Sequence, residues 1–145
     1  MQSNKILGLD LGSKTLGIAI SDVFAIFAQP VETYQFKTNH YKHAIEYVAL
    51  LVEKENVTTI VLGLPINMNN TENERSEISR RFAKKLEDAT RVNVVLWDER
   101  MTTMEVERVL IDGGVRREKR KDHVDKLAAT VILQNYLDAR KKERE

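Results

Sequence analysis

The chain of 145 residues carries 23 Lys and Arg against 22 Asp and Glu, a formal charge of +1, and no cysteine. That length suits one domain with a real core, and the near-even charge leaves partner choice to the placement of charges. The lack of cysteine excludes a disulfide framework and a thiolate metal site, as a reducing cytoplasm would suit, and no apolar run approaches the ~20 residues of a membrane span.

The opening MQSNKILGLD lacks the apolar core of a secretory signal, so a cytoplasmic domain with no membrane partner is expected. Lys5 to Leu9 and Thr15 to Ser21 are rich in strand formers around a glycine-containing turn, which predicts a hairpin. Gln29 to Phe36 supplies a third strand at an edge, because Pro30 cannot donate to a central ladder. Tyr41 to Glu55 sets Ala44, Ile45, Val48, Leu51 and Val52 at helical spacing. Thr58 to Pro65 is a short apolar run closed by Gly and Pro, as a buried strand would be.

Thr71 and Glu74 then form a capping-box pattern before a helix with Ile78, Phe82, Leu86 and Ala89 on one face. Val92 to Trp97 reads as another buried strand. Thr102 and Glu105 repeat the capping pattern, with Gly113 and Gly114 stopping that helix, and Asp122 to Arg140 forms the last one. This order predicts an α/β fold. Its central sheet is mixed, an antiparallel hairpin joined to parallel strands and flanked by helices, in a single domain over 1–140 with a frayed charged tail at 141–145.

Acids stand in apolar company at three places. Asp10 follows Ile6, Leu7 and Leu9; Asp98 and Glu99 close the strand VVLW; Asp125 has Ala128, Ala129 and Ile132 on its helical face. A carboxylate near a core costs roughly several kcal/mol of desolvation unless a cation or donors compensate it. Each acid alone fits a turn or cap. Together, on two strand ends and one helix, they predict a hard-oxygen site suited to Mg²⁺ or Mn²⁺.

The segments GLDLGSKTLGIAISD, VLGLPINMNNTE, WDERMTT and DKLAATVILQNYLD resemble, in order, the successive motifs of the YqgF/RuvX family of Holliday-junction-resolvase-like nucleases, over Ile6 to Asp138. The resemblance implies an RNase H-like fold and a bacterial nuclease that matures the 5′ end of pre-16S rRNA. Its catalytic, metal-holding acids would be Asp10, Glu99 and Asp125, with two ions of Mg²⁺ or Mn²⁺. Successive strand residues face opposite sides, so one of Asp98 and Glu99 reaches the site; the family pattern favours Glu99. Thr15 stands where the family usually has a basic residue, and Asn70 replaces a common glycine.

Candidate contacts to nucleic-acid phosphates are Lys14 and Thr15 on the first turn, Arg100 beside Glu99, and the basic run of Arg116, Arg117, Lys119, Arg120 and Lys121, read as a loop. Asn67, Asn69 and Asn70 offer a polar rim or an ordinary loop. With His40, His43 and His123 as the only histidines, zinc is not expected. Phe82, Trp97 and Tyr136 read as core. The partner would be structured RNA or branched DNA, acted on by a monomer or a homodimer. Junction resolution cuts two symmetric strands and favours the dimer. Two rivals remain: a sugar-kinase or actin-like ATPase, against which the single copy of the first motif speaks, and a nucleic-acid-binding module with lapsed catalysis.

Overall fold

A computed structural model describes residues 4–67, 69–99 and 117–144, the last segment as backbone alone at 117–126 and 142–144. The strands are β1 (Ile6–Leu11), β2 (Thr15–Ser21), β3 (Ala28–Gln35), β4 (Thr59–Leu64) and β5 (Asn93–Asp98). The helices are α1 (Tyr41–Glu55), α2 (Glu74–Thr90) and α3 (Arg117–Arg144). One five-stranded sheet has the order β3-β2-β1-β4-β5. β1 pairs antiparallel with β2, and β2 with β3; β4 lies parallel to both β1 and β5. The expected mixed α/β sheet is therefore present, with Pro30 on the edge strand. Among the described residues, no helix is long and apolar enough to cross a membrane.

Alternation along the strands divides the core into two layers. Leu7, Leu9, Leu16, Ile18, Ile60 and Leu62 face α1 and α2, meeting Val48, Phe82 and Leu86. Ile6, Ala19 and Val61 face α3, meeting Ala129, Ile132 and Leu133. Each fully buried Leu or Ile contributes about 1.5–3 kcal/mol relative to exposure, enough to fix the register of β1, β2 and β4. Gly8 lets α3 approach β1: a Cβ there would stand 2.6 Å from Leu133 Cβ and 2.9 Å from the Ala129 carbonyl oxygen. Phe82 is buried as expected, whereas Trp97 and Tyr136 are half-buried and meet edge to face at 5.5 Å.

Two local expectations are corrected. Asn73 and Ser76, and not Thr71 and Glu74, form the capping box of α2. The Thr71 hydroxyl is already engaged, donating to Asn69 Oδ1 at 2.6 Å and accepting from Asn67 Nδ2 at 2.9 Å. The basic run is not a loop, since α3 starts at Arg117 and takes in Lys119, Arg120 and Lys121. Arg, Glu and Lys are strong helix formers, and here they outweigh the preceding glycines. Asn70 adopts φ 70°, the left-handed conformation that Asn tolerates better than most residues, so the glycine-type turn is kept. The helix expected from Thr102 to Gly113 lies outside the described residues, as do Arg100 and Arg116.

Candidate active site

β1 carries Asp10 one residue before its end, on the α3 side with Ile6 and Gly8. The parallel register of β1, β4 and β5 brings three strand ends to one edge of the sheet. Glu99 directly follows β5, and its N–H donates to the Leu64 carbonyl oxygen of β4 at 3.3 Å. By alternation Glu99 shares the side of Trp97, towards α3, while Asp98 is exposed on the other. That parity puts Glu99, and not Asp98, on the side of the sheet that carries Asp10.

β4 separates β1 from β5, so a Glu99 side chain aimed at Asp10 must cross β4. It does so over Gly63. A Cβ built at Gly63 would collide with Glu99 Oε2 and would stand 2.7 Å from Ile132 Cδ1. The missing side chain opens the channel through which Glu99 reaches a hydrogen bond with Asp10.

The electrostatics follow from this contact. Burial, the charge of Asp10 and its hydrogen bond push the Glu99 carboxyl from 4.5 up to about 9, Arg75 opposes the shift and Asp98 adds to it slightly. Two carboxyl groups in contact cannot both ionise without a cation, so one proton remains on Glu99 and is donated to Asp10. Paired oxygens with an excess of potential negative charge are a donor set that fits a hard divalent ion. Among the described residues, no group of three acids or histidines is arranged to hold a metal. Asp125 is helical, one turn before Ala129, but its side chain lies outside the description. Farther along α3, Gln134 accepts from Ala28 N–H at 2.8 Å; Ala28 pairs with Ser21, whose hydroxyl accepts from Ile6 N–H. α3 therefore runs from the Asp10 end of the sheet towards the start of β1.

Arg75 had no place in the sequence reading. In the first turn of α2, its Nη2 donates to the Leu11 carbonyl oxygen at 3.1 Å and its Nη1 to the Tyr41 hydroxyl at 3.4 Å. It is thereby fixed beside the acids. A signal was available, because a cation in the first helical turn opposes the macrodipole and calls for a compensating reason. Lys14 is exposed on the β1–β2 turn at this same edge, and Thr15 begins β2. Asn67 and Asn69 hydrogen-bond within their own loop, to Thr71.

The mixed sheet with converging strand-end acids defines an RNase H-like fold. The solved Thermus thermophilus RuvC in complex with a Holliday junction superposes with a TM-score of 0.59, at 16% identity, over 95% of this chain and 96% of its own. The RuvX family model, described as Holliday junction resolvase, matches residues 4–139. The chain belongs to the RuvX family. It is 47% identical over 136 residues to a Geobacillus protein (94% of this chain, 99% of that one), and 51% over 134 residues to a Listeria monocytogenes protein (92% and 97%). Both relatives are provisionally named pre-16S rRNA nucleases. Family membership makes this chain a nuclease, a hydrolase of phosphodiester bonds.

Proposed function

We propose that this chain is a divalent-metal-dependent nuclease acting on precursor ribosomal RNA, at the 5′ end of the 16S sequence. The observation that carries the chemistry is the meeting of the Asp10 and Glu99 carboxyl groups across Gly63. The names of the relatives support the substrate.

Asp10, Glu99 and Asp125 would hold the ions, Asp10 from a strand at the centre of the sheet. Mg²⁺ or Mn²⁺ bound there supplies Lewis acidity to the attacking water and the leaving oxygen. Glu99 would have to be ionised to hold a cation, and positive charge there would offset the repulsion that keeps it neutral. Arg75 faces the same edge with a guanidinium suited to a phosphate oxygen. The direction of α3 and the helical position of Asp125 before Ala129 support its joining the pair. Lys14, Thr15, Arg100, Arg116, Arg117, Lys119, Arg120 and Lys121 are the proposed backbone contacts. The family description favours a second reading, four-way DNA junctions as substrate, which would call for a dimer.

The test is a Mg²⁺/Mn²⁺ cleavage panel of labelled pre-16S leader RNA and four-way junction DNA, with wild type and Asp10→Asn. Cleavage of the RNA by wild type and its loss in the variant is the expected result. Equal turnover by Asp10→Asn would remove that acid from the mechanism; cleavage of the junction alone would move the substrate to DNA.

A further inference from the structure

A groove of about 380 Å³ runs between the start of α1 and the exposed side of α2, with Asn39, Tyr41, Arg75, Ile78, Arg81 and Lys85 among its walls. On α2, residues 75, 78, 81 and 85 share one face at 100° per residue, and Arg75 to Lys85 spans about 15 Å. Tyr41 and Phe82 meet edge to face at 6.2 Å beneath it and hold its floor. Arg81 and Lys85 are exposed and form no ion pair among the described residues. The groove thus offers three cations against the single acid Glu74.

One end of it, at Arg75, lies against the end of β1, next to the candidate active site. Arg75 belongs to both: it lines the groove, bonds the carbonyl of the residue after Asp10, and acts through its charge on Glu99. Beside it, Ser13 O accepts from Asn39 N–H at 2.8 Å, tying the turn that carries Lys14 to the groove wall. A cationic track that begins at the cutting site and continues along one helix matches a polyanionic strand in charge and direction.

We propose that this groove seats the phosphates of single-stranded RNA flanking the bond that is cut, with Arg81 and Lys85 as contacts remote from the chemistry. The proposal rests on the nuclease reading and names the path of its substrate. Each phosphate neutralised on a single strand contributes about 0.7 to the slope of log affinity against log salt. The double variant Arg81→Ala/Lys85→Ala should therefore lower that slope by about 1.4.

The experiment measures binding of a labelled single-stranded RNA by fluorescence anisotropy across a salt series in EDTA, where no cleavage occurs. It compares wild type, the double variant, Arg81→Lys/Lys85→Arg, and Lys54→Ala at the far end of α1 as the control. The expected result is a lowered slope in the alanine pair alone, with the charge-preserving pair restored to wild type. In cleavage assays with metal, the alanine pair should raise KM and hold kcat. An unchanged slope and KM would overturn the proposal and assign those cations to a different acidic partner. Because binding is read without turnover, that failure is separate from failure of the nuclease reading, which shows instead as no metal-dependent RNA cleavage by wild type.

Discussion

Gly63→Ala adds one methyl group at the point where Glu99 crosses β4. No left-handed backbone is needed at Gly63, so alanine is conformationally permitted, and in a strand it gains about 0.5–1 kcal/mol over glycine. Against this stand the collision with Glu99 Oε2 and approaches of 2.7 Å to Ile132 Cδ1 and 3.2 Å to Glu99 Cδ. Overpacking of this kind costs about 1–3 kcal/mol. Ile132 is fully buried and cannot retreat, whereas the Glu99 carboxyl group ends a flexible side chain at the sheet edge. The strain is therefore relieved by swinging Glu99 away from Asp10. Stability should fall by no more than about 2 kcal/mol, a few degrees in Tm. Activity should fall much further, because a misplacement near 1 Å at a reacting centre costs about 100-fold. The assay pairs thermal unfolding with Mn²⁺ titration calorimetry and RNA cleavage. A Gly63→Ala protein with wild-type metal affinity and turnover would refute the claim that Glu99 acts across β4.

Gly8→Ala supplies the contrasting case, since its Cβ would meet the Ala129 carbonyl oxygen and Leu133 Cβ on the helix and not a movable carboxyl group. It should lose about 1–3 kcal/mol or more in urea denaturation, by lifting α3 from β1; wild-type stability would argue against that close approach. Glu99→Gln tests the buried proton: with a folded value near 9 and an unfolded value of 4.5, the metal-free protein holds a proton that the unfolded chain releases. Its stabilising contribution is complete below about pH 4.5 and is lost as pH rises towards 9, at up to about 1.4 kcal/mol per pH unit. Urea denaturation in EDTA from pH 5 to 9 should show this loss in wild type and not in Glu99→Gln, and matching slopes would contradict the coupling. Ser76→Ala removes a fully buried hydroxyl that donates to the Pro65 carbonyl oxygen and accepts from Asn73 N–H. A loss of about 1–2 kcal/mol by thermal unfolding is expected, and none would show that the α2 cap is held by Asn73 alone.

These residues also mark how far one-dimensional patterning reaches. β1, β2, β4 and β5 were legible because an apolar run bounded by Gly, Pro or acids has few other uses, and Asp10 stood out against that background. The parity between Asp98 and Glu99 was legible as a rule, but its sign depends on which side of β5 packs on α3, a tertiary fact. The crossing over Gly63 could not be read at all. It requires knowing that β4 lies between β1 and β5, and strand order is set by helix packing on both faces and not by any local signal. The cap of α2 departs from the pattern for a related reason: Thr71 has the right chemistry for a cap, but Asn67 and Asn69 of its own loop engage its hydroxyl. Local propensity names the groups able to do a job, and competition among contacts decides which of them does it.

The same competition explains why the site holds an acid pair that the apo fold does not favour. A neutral, apolar pair at positions 10 and 99 would remove the desolvation penalty that drives Glu99 towards 9. The chain instead spends a glycine at 63 to let the two carboxyl groups meet, and sets Arg75 close enough to relieve only part of their repulsion. Such an arrangement has a net gain only when positive charge arrives from outside. Divalent ions should accordingly raise the stability of wild type more than that of Asp10→Asn or Glu99→Gln, and more at pH 8 than at pH 6, where protons compete for the same oxygens. Thermal shifts measured with and without Mg²⁺ at the two pH values decide it: an equal shift in all three proteins would mean that the ion binds elsewhere, and that the paired acids serve the fold and not the cut.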